Sequence, residues 1–416
     1  MKYLKIFLSL CLIVILSGCN VNKKTENVKE VEFWTLQLST FSPYINGVIK
    51  EYEAQHPDVK IKWIDVPFSE GEKRTLATVM SKKMPDLVNL NPDFSSTLFS
   101  RNALFDLKSL ISQKDYDSYL EASWKPLSNN GQIYGIPWYI TTSVTYYNKD
   151  ILRKAGLTKT DIPENYFELK EFSQIVKQKT GKYAHMPTLS EGGNILKVFN
   201  KYSGVTYVNN LLYFNNDVNV QVLELYKYLY QNDLIPKESI TLDHRSALEQ
   251  FMSGEMAILL SGTNFLKTIK ENSPDVYKNL GIMPQIIGSN GKSDFSMMNL
   301  VVLKKARYPK EAVDFALFLT NSENQLKFAK LAPVFPSSEE ALRNEYFTNQ
   351  DASLEQKVRR QGALQLNNSL VPIKVQQNQA QLNEILNGMV QTVMLNKQSV
   401  KDALKSAQKD WQDVHK

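Results

Sequence analysis

Three carboxylates in loop-like contexts, Asp93, Glu191 and Asp294, are of the type that glycoside hydrolysis uses, since that chemistry needs only an acid and a second carboxylate. Nothing around them points to another hydrolase. The chain has no Gly-x-Ser-x-Gly elbow, no His-Glu-x-x-His, no phosphate-binding glycine loop and no Gly-x-Gly-x-x-Gly. Its four histidines, at 56, 185, 244 and 415, are too scattered for a transition-metal cluster. Carboxylates in loops are more often solvated, so no catalytic residue and no cofactor is expected. A second chemistry is written in residues 131–149, where Tyr134, Trp138, Tyr139, Tyr146 and Tyr147 crowd into one window. Rings that cover a flat apolar face, with hydroxyls and an indole N–H for polar edges, suit a carbohydrate. Trp138 leads this group, with Tyr139 and Tyr146 behind it; the alternative is a buried aromatic strand.

These residues need elements to hold them. Asn130-Gly131 and Gly135 are turn formers, and 143–147 is dense in β-branched and aromatic residues, so the window starts as a turn and continues as a strand. Upstream, 31–38 reads as a buried strand, Phe41, Ile45, Val48, Ile49 and Tyr52 repeat at helical spacing, and 60–66 is the next strand. A helix over 72–83 and a strand over 84–90 follow. Strand, helix and strand at this spacing build a parallel sheet, and ligands sit beyond the carboxyl ends of such strands. That rule selects Gln37 after the first strand and Asn91 and Asp93 after the third; the competing role for the latter two is helix capping. Farther on, Asp217–Gln231 carries Val218, Val222, Leu225, Tyr226 and Leu229 on one face. Leu382, Ile385, Leu386, Met389, Val390, Val393 and Met394 make a second apolar stripe, expected to pack on the protein itself.

The window at 131–149 resembles the signature of the extracellular solute-binding proteins of bacterial ABC importers, the family that includes maltose-binding protein. Three further stretches, 247–262, 299–319 and 322–336, match in the same order, and the similarity runs from about Val31 to the C-terminus. The resemblance implies an α/β protein of the two-lobed periplasmic-binding-protein-like (type II) fold, with a ligand cleft between lobes. It implies one lobe from 31–142 plus 263–330 and another from 143–262 plus 331–416, with crossings at 142–147, 257–263 and 331–336. A binder rather than an enzyme follows, acting as a monomer on a mono- or oligosaccharide and delivering it to ABC permease subunits. By the same resemblance Asn264 and Phe265 lie where many relatives carry a stacking aromatic, although here Asn precedes Phe where Trp is usual. Asn299 follows Met297-Met298 where relatives have a glycine pair, and Phe335 sits in the third crossing.

The N-terminus decides location. Lys2 and Lys5 precede an apolar run over 6–16, too short to span a membrane, and Leu16-Ser17-Gly18-Cys19 resembles a lipobox. Cleavage after residue 18 would leave Cys19 acylated, with 19–30 as a flexible tether holding the protein at the outer face of the cell membrane. Cys11, the other cysteine, falls in the removed leader, which leaves no pair for a disulfide. At 416 residues, 43% hydrophobic and 22% charged, the chain is too long for one ordinary core and too apolar for disorder. The net charge of +6 is spread thinly, without the basic runs that nucleic acid requires. Two other readings stay open: a surface glycan-binding or glycoside-processing protein uncoupled from transport, and a binder of a non-sugar solute such as glycerol phosphate.

Overall fold

The computed structural model describes residues 28–79, 81, 84–208, 211–350, 353–369, 373 and 378–415. Cys19 and the leader lie outside them. β1 (Lys29–Leu36) sends Val31 and Phe33 into one core and Trp34 and Leu36 into another, as expected of a strand covered on both faces. α1 (Ser42–Gln55) closes over the first face with Tyr44, Ile45, Val48, Ile49 and Tyr52. β2 (Val59–Val66) and, after α2 (Phe68–Val79), β3 (Leu87–Leu90) both pair with β1 in parallel. α3 (Pro92–Ser100) starts immediately beyond β3. Just before β3, the fully buried Asp86 carboxylate accepts from the backbone N–H groups of Glu32 (2.9 Å), Arg307 (2.6 Å) and Tyr308 (3.3 Å).

β4 (Ile136–Asn148), thirteen residues long, serves both lobes. The chain then builds the second lobe from α4 (Lys149–Ala155), α5 (Leu169–Thr180), α6 (Ile195–Lys201), α7 (Asp217–Gln231) and α8 (His244–Met252). β5 (Ile258–Gly262), α9 (Leu266–Asn272) and β6 (Leu280–Met283) follow. β7 (Phe295–Val302), α10 (Pro309–Leu319), α11 (Ser322–Leu331) and β8 (Phe335–Pro336) return to the first lobe. α12 (Leu354–Leu366), α13 (Gln379–Met394) and α14 (Val400–Asp413) end the chain. The first half of β4 pairs antiparallel with β7 and β8, both of which meet Ile140 and so flank it on opposite edges. Its second half is flanked in the same way by β5 and β6, which both meet Tyr147. The first-lobe sheet thus runs β8-β4-β7-β3-β1-β2.

Two expectations about the crossings are corrected. The strand at 257–260 does not lead back to the first lobe. After β5, α9 and β6 stay on the second lobe, where Leu266, Ile269 and Leu280 share a core with Val144, Tyr146 and Phe251. The return runs between β6 and β7, and polar side chains fasten it. Gln285 Nε2 donates to Thr142 Oγ1 and to the Asp294 carbonyl, both at 2.9 Å. The buried Lys201 Nζ donates to Gln285 Oε1 (3.2 Å) and to the Ile286 carbonyl (2.9 Å). Nor does everything past residue 331 join the second lobe. Phe335, Leu342, Phe347, Ala363 and Leu366 bury in a first-lobe core, Val358 in a second-lobe one, and the α13 stripe deep in the second lobe. α12 therefore lies across both lobes, pressed so close at Gly362 that a Cβ there would stand 2.3 Å from the Phe335 ring. A helical period says that a face is buried, and two cores of the same protein are equally apolar destinations. Val218, expected in the core, is 38% exposed in the first turn of α7.

Candidate functional site

The carboxyl ends of β1, β2 and β3 share one end of the sheet. Gln37, directly after β1, is exposed and holds φ at 55°, a backbone conformation a side chain other than glycine adopts only when its surroundings impose it. Asp65 imposes it, accepting from the N–H groups of Leu38 (2.9 Å) and Ser39 (2.8 Å) and from Thr35 Oγ1 (2.6 Å). After β2, Phe68 is 53% exposed. After β3, Asn91 caps α3: its Oδ1 accepts from the Phe94 N–H at 2.7 Å, and its Nδ2 donates to Glu72 at 3.0 Å. Both ends of the amide are occupied, so capping and holding Glu72 are its roles. Asp93, in the first turn of α3, keeps an exposed carboxyl in a crevice crowded by protein. Desolvation and then Glu72 raise it to about 6, with Lys197 of α6 acting in the opposite direction.

The second lobe supplies further groups. Lys197 also acts on His244, whose imidazole is held below its ordinary value by burial, with Glu191 opposing. One lysine felt by both Asp93 and His244 brings α6 of the second lobe within electrostatic reach of the first turn of α3. His244 opens α8 under close control: its backbone N–H donates to Glu191 at 3.0 Å, and its Nε2 is 2.8 Å from Ser261 Oγ at the end of β5. Its ring stands 5.4 Å from the half-buried Phe265. The loop before α6 turns through Gly192 and Gly193 at φ 55° and 73°. Gln37, Phe68, Glu72 and Asp93 at the strand ends of the first lobe, taken with Lys197, His244 and Phe265 of the second, make a candidate site that offers ring faces to stack an apolar surface and polar groups to hydrogen-bond its edges.

Several expected ligand contacts lie elsewhere. Trp138 is fully buried, 5.6 Å from Phe328 and 6.5 Å from Phe33 between ring centroids, in the core under α1 and α10. Its neighbour Tyr139 reaches the same Phe328 at 5.4 Å. Adjacent strand residues normally point to opposite faces; here Met297 and Asn299 of β7 oppose Ile140 and Pro137 of β4, a bulge that turns both rings the same way. Tyr146 is also fully buried, its hydroxyl donating to the carbonyls of Gly262 (3.2 Å) and Thr263 (3.3 Å) to brace the end of β5. Asn299, equally buried, donates through Nδ2 to Ser95 Oγ at 3.0 Å. Phe335 is 2% exposed, and Asn264 lines a different cavity, described below. Of the ten candidates, Gln37 and Asp93 are exposed at strand ends of the first lobe, Asp93 feels Lys197 of the second, and Phe265 is half-buried beside His244. The two other carboxylates have structural partners: Glu191 takes the His244 N–H, and Asp294 lies 3.6 Å from Lys201 at the crossing. Sequence reasoning missed Phe68, Glu72, Lys197 and His244. The strand-end rule that selected Gln37 and Asn91 would have reached Phe68, two residues past β2; nothing local marks Lys197 or His244.

Comparison with known proteins adds to this geometry. The family model described as bacterial extracellular solute-binding protein matches residues 38–326. A candidate oligosaccharide periplasmic-binding protein of Synechococcus sp. MITs9220 superimposes with a TM-score of 0.84 at 31% identity, over 92% of this chain and 98% of that one. The arabinooligosaccharide-binding protein of Bacillus subtilis (strain 168) is 26% identical over 328 residues, 76% of this chain and 75% of its own. An uncharacterized lipoprotein of Streptomyces antibioticus is 22% identical over 348 residues, 80% of this chain and 76% of its own.

Proposed function

The chain belongs to the bacterial extracellular solute-binding protein family, and on that premise we propose that it captures an oligosaccharide between its lobes, as a monomer, and hands it to the permease of an ABC importer. The observation that carries the reading is that Asp93 and Lys197, which come from different lobes, are within electrostatic reach of one another. A ligand bridging both walls favours the lobe arrangement that makes both sets of contacts, and this couples capture to closure. Phe68 and Phe265 offer ring faces from opposite lobes, and Gln37, Glu72, Asp93 and His244 offer polar partners for hydroxyls. The Synechococcus and Bacillus relatives are named for binding, and the Bacillus one for an arabinooligosaccharide.

A thermal-shift panel of arabino-, galacto- and malto-oligosaccharides tests the substrate class. A true ligand at a hundred times its dissociation constant adds about 2.7 kcal/mol of stability. A shift with glycerol phosphate and none with any sugar would move the reading to a non-sugar solute. The sign of the pH effect follows from Asp93. Because its carboxyl is raised to about 6, it is a full acceptor only above that value. Sugar affinity is therefore expected to rise between about pH 5 and about pH 7.5 with a midpoint near 6. Asp93→Asn should flatten that profile and weaken binding at least tenfold, or about 1.4 kcal/mol. An unchanged profile in the variant, read by calorimetry, would remove Asp93 from the site.

Acylation of Cys19 is part of the same proposal, supported by the leader pattern and by a relative called a lipoprotein. Cys19→Ala should leave the protein in the aqueous phase of a detergent partition, while the parent enters the detergent phase with the added mass of its acyl chains. Equal partitioning of the two would refute the anchor.

A further inference from the structure

A cavity of about 530 Å³ lies beside β8, between the residues opening α9 and the segment from α11 through β8 into α12. β8 is on the edge of β4 away from β3 and β1, and none of Gln37, Phe68, Asp93, Lys197 or His244 lines the space. Its apolar wall is Leu266, Ala332, Pro333, Val334, Phe335 and Val358. Leu266 and Val358 belong to a second-lobe core and Phe335 to a first-lobe core, so an occupant touches both lobes.

Charge decides what the cavity would hold. Five charged side chains line it, and four cancel in pairs: Lys270 with Glu355 at 2.6 Å, and Lys267 with Glu271 at 3.7 Å along α9. Arg359 is left over. Among the described residues no carboxylate pairs with it, and its buried Nε–H has no hydrogen-bond partner. Its guanidinium lies 4.1 Å from the Tyr346 ring centroid, and that stacking holds the planar fork while leaving its N–H edge for an acceptor. A guanidinium beside an apolar enclosure of this size matches a carboxylate carrying a hydrocarbon tail.

We propose that this cavity is a second ligand site, for an amphipathic organic anion of the medium-chain carboxylate class, its tail against Leu266, Val334 and Phe335 and its head on Arg359. An occupant there favours whichever lobe arrangement sets the two walls at its own width, so the site lies where it biases closure without entering the sugar site.

Octanoate titrated into the purified protein by calorimetry is the test. One octanoate per chain is expected, at least tenfold weaker in Arg359→Gln, a half-buried position whose melting temperature, measured alongside, reports any loss of fold. Val334→Trp, which fills the cavity from its half-buried wall, is expected to abolish the binding. If that variant unfolds, Arg359→Gln alone decides. Absence of saturable octanoate binding, unchanged affinity in Arg359→Gln, or equal affinity for 1-octanol would each overturn the proposal.

Discussion

Trp138→Ala is expected to lower the stability of the folded chain by about 3–5 kcal/mol, the range for deleting a large aromatic from a closed core. The indole is fully buried, and Phe33, Tyr139 and Phe328 pack against it. The bulge in β4 fixes both Trp138 and Tyr139 on this face, so neither backbone nor neighbouring ring can readily collapse into the space. Chemical denaturation should show a lower midpoint at unchanged slope. Whatever fraction remains folded should bind sugar with near-parent affinity, because the ring is not part of the candidate site. A loss of less than about 1 kcal/mol, far below that core-deletion range, together with a large loss of affinity would instead put Trp138 in contact with ligand.

Asp86→Ala should cost about 3 kcal/mol, for a different reason. Its carboxylate accepts three backbone N–H groups that belong to β1 and to the connection between β7 and α10, at a site closed to solvent. Each buried donor left without a partner costs about 1–3 kcal/mol, and water entering the space left by the carboxylate offsets part of the sum. Asp86→Asn should fall between parent and Ala, because its amide oxygen still accepts on one side while its NH2 faces donors on the other. Equal midpoints for parent and Ala in urea would show that these contacts contribute nothing net.

What was legible in the sequence was local. The parallel pairing of β1, β2 and β3 followed from strand, helix and strand repeating at crossover spacing, and the strand-end rule selected Gln37, Asn91 and Asp93. The α13 stripe of Leu382, Leu386, Met389, Val390, Val393 and Met394 was equally plain, since a 3.6-residue period survives wherever the helix packs.

What tertiary structure alone decided was which surface each of these residues meets. Composition shows that Trp138 and Tyr146 want to be covered, but a sugar and a protein core cover an indole by the same dispersion and area burial, and a one-residue bulge in β4 settled the matter for Trp138. Asn91 carries the chemistry of both a cap and a ligand contact, and only the positions of the Phe94 N–H and Glu72 show that capping uses both ends of its amide. The second-lobe part of the site, Lys197 and His244, lies more than a hundred residues from Asp93 along the chain. The electrostatic contact of Lys197 with Asp93 depends on how β4 passes from one lobe to the other, and on Lys201 and Gln285 fastening the return. Propensity and periodicity act over a few residues, whereas burial and charge act across space. The chain's own pattern therefore specified the elements and the parallel pairing of the first three strands, and the packing of two separate cores decided the order of the sheet and what surrounds each candidate residue.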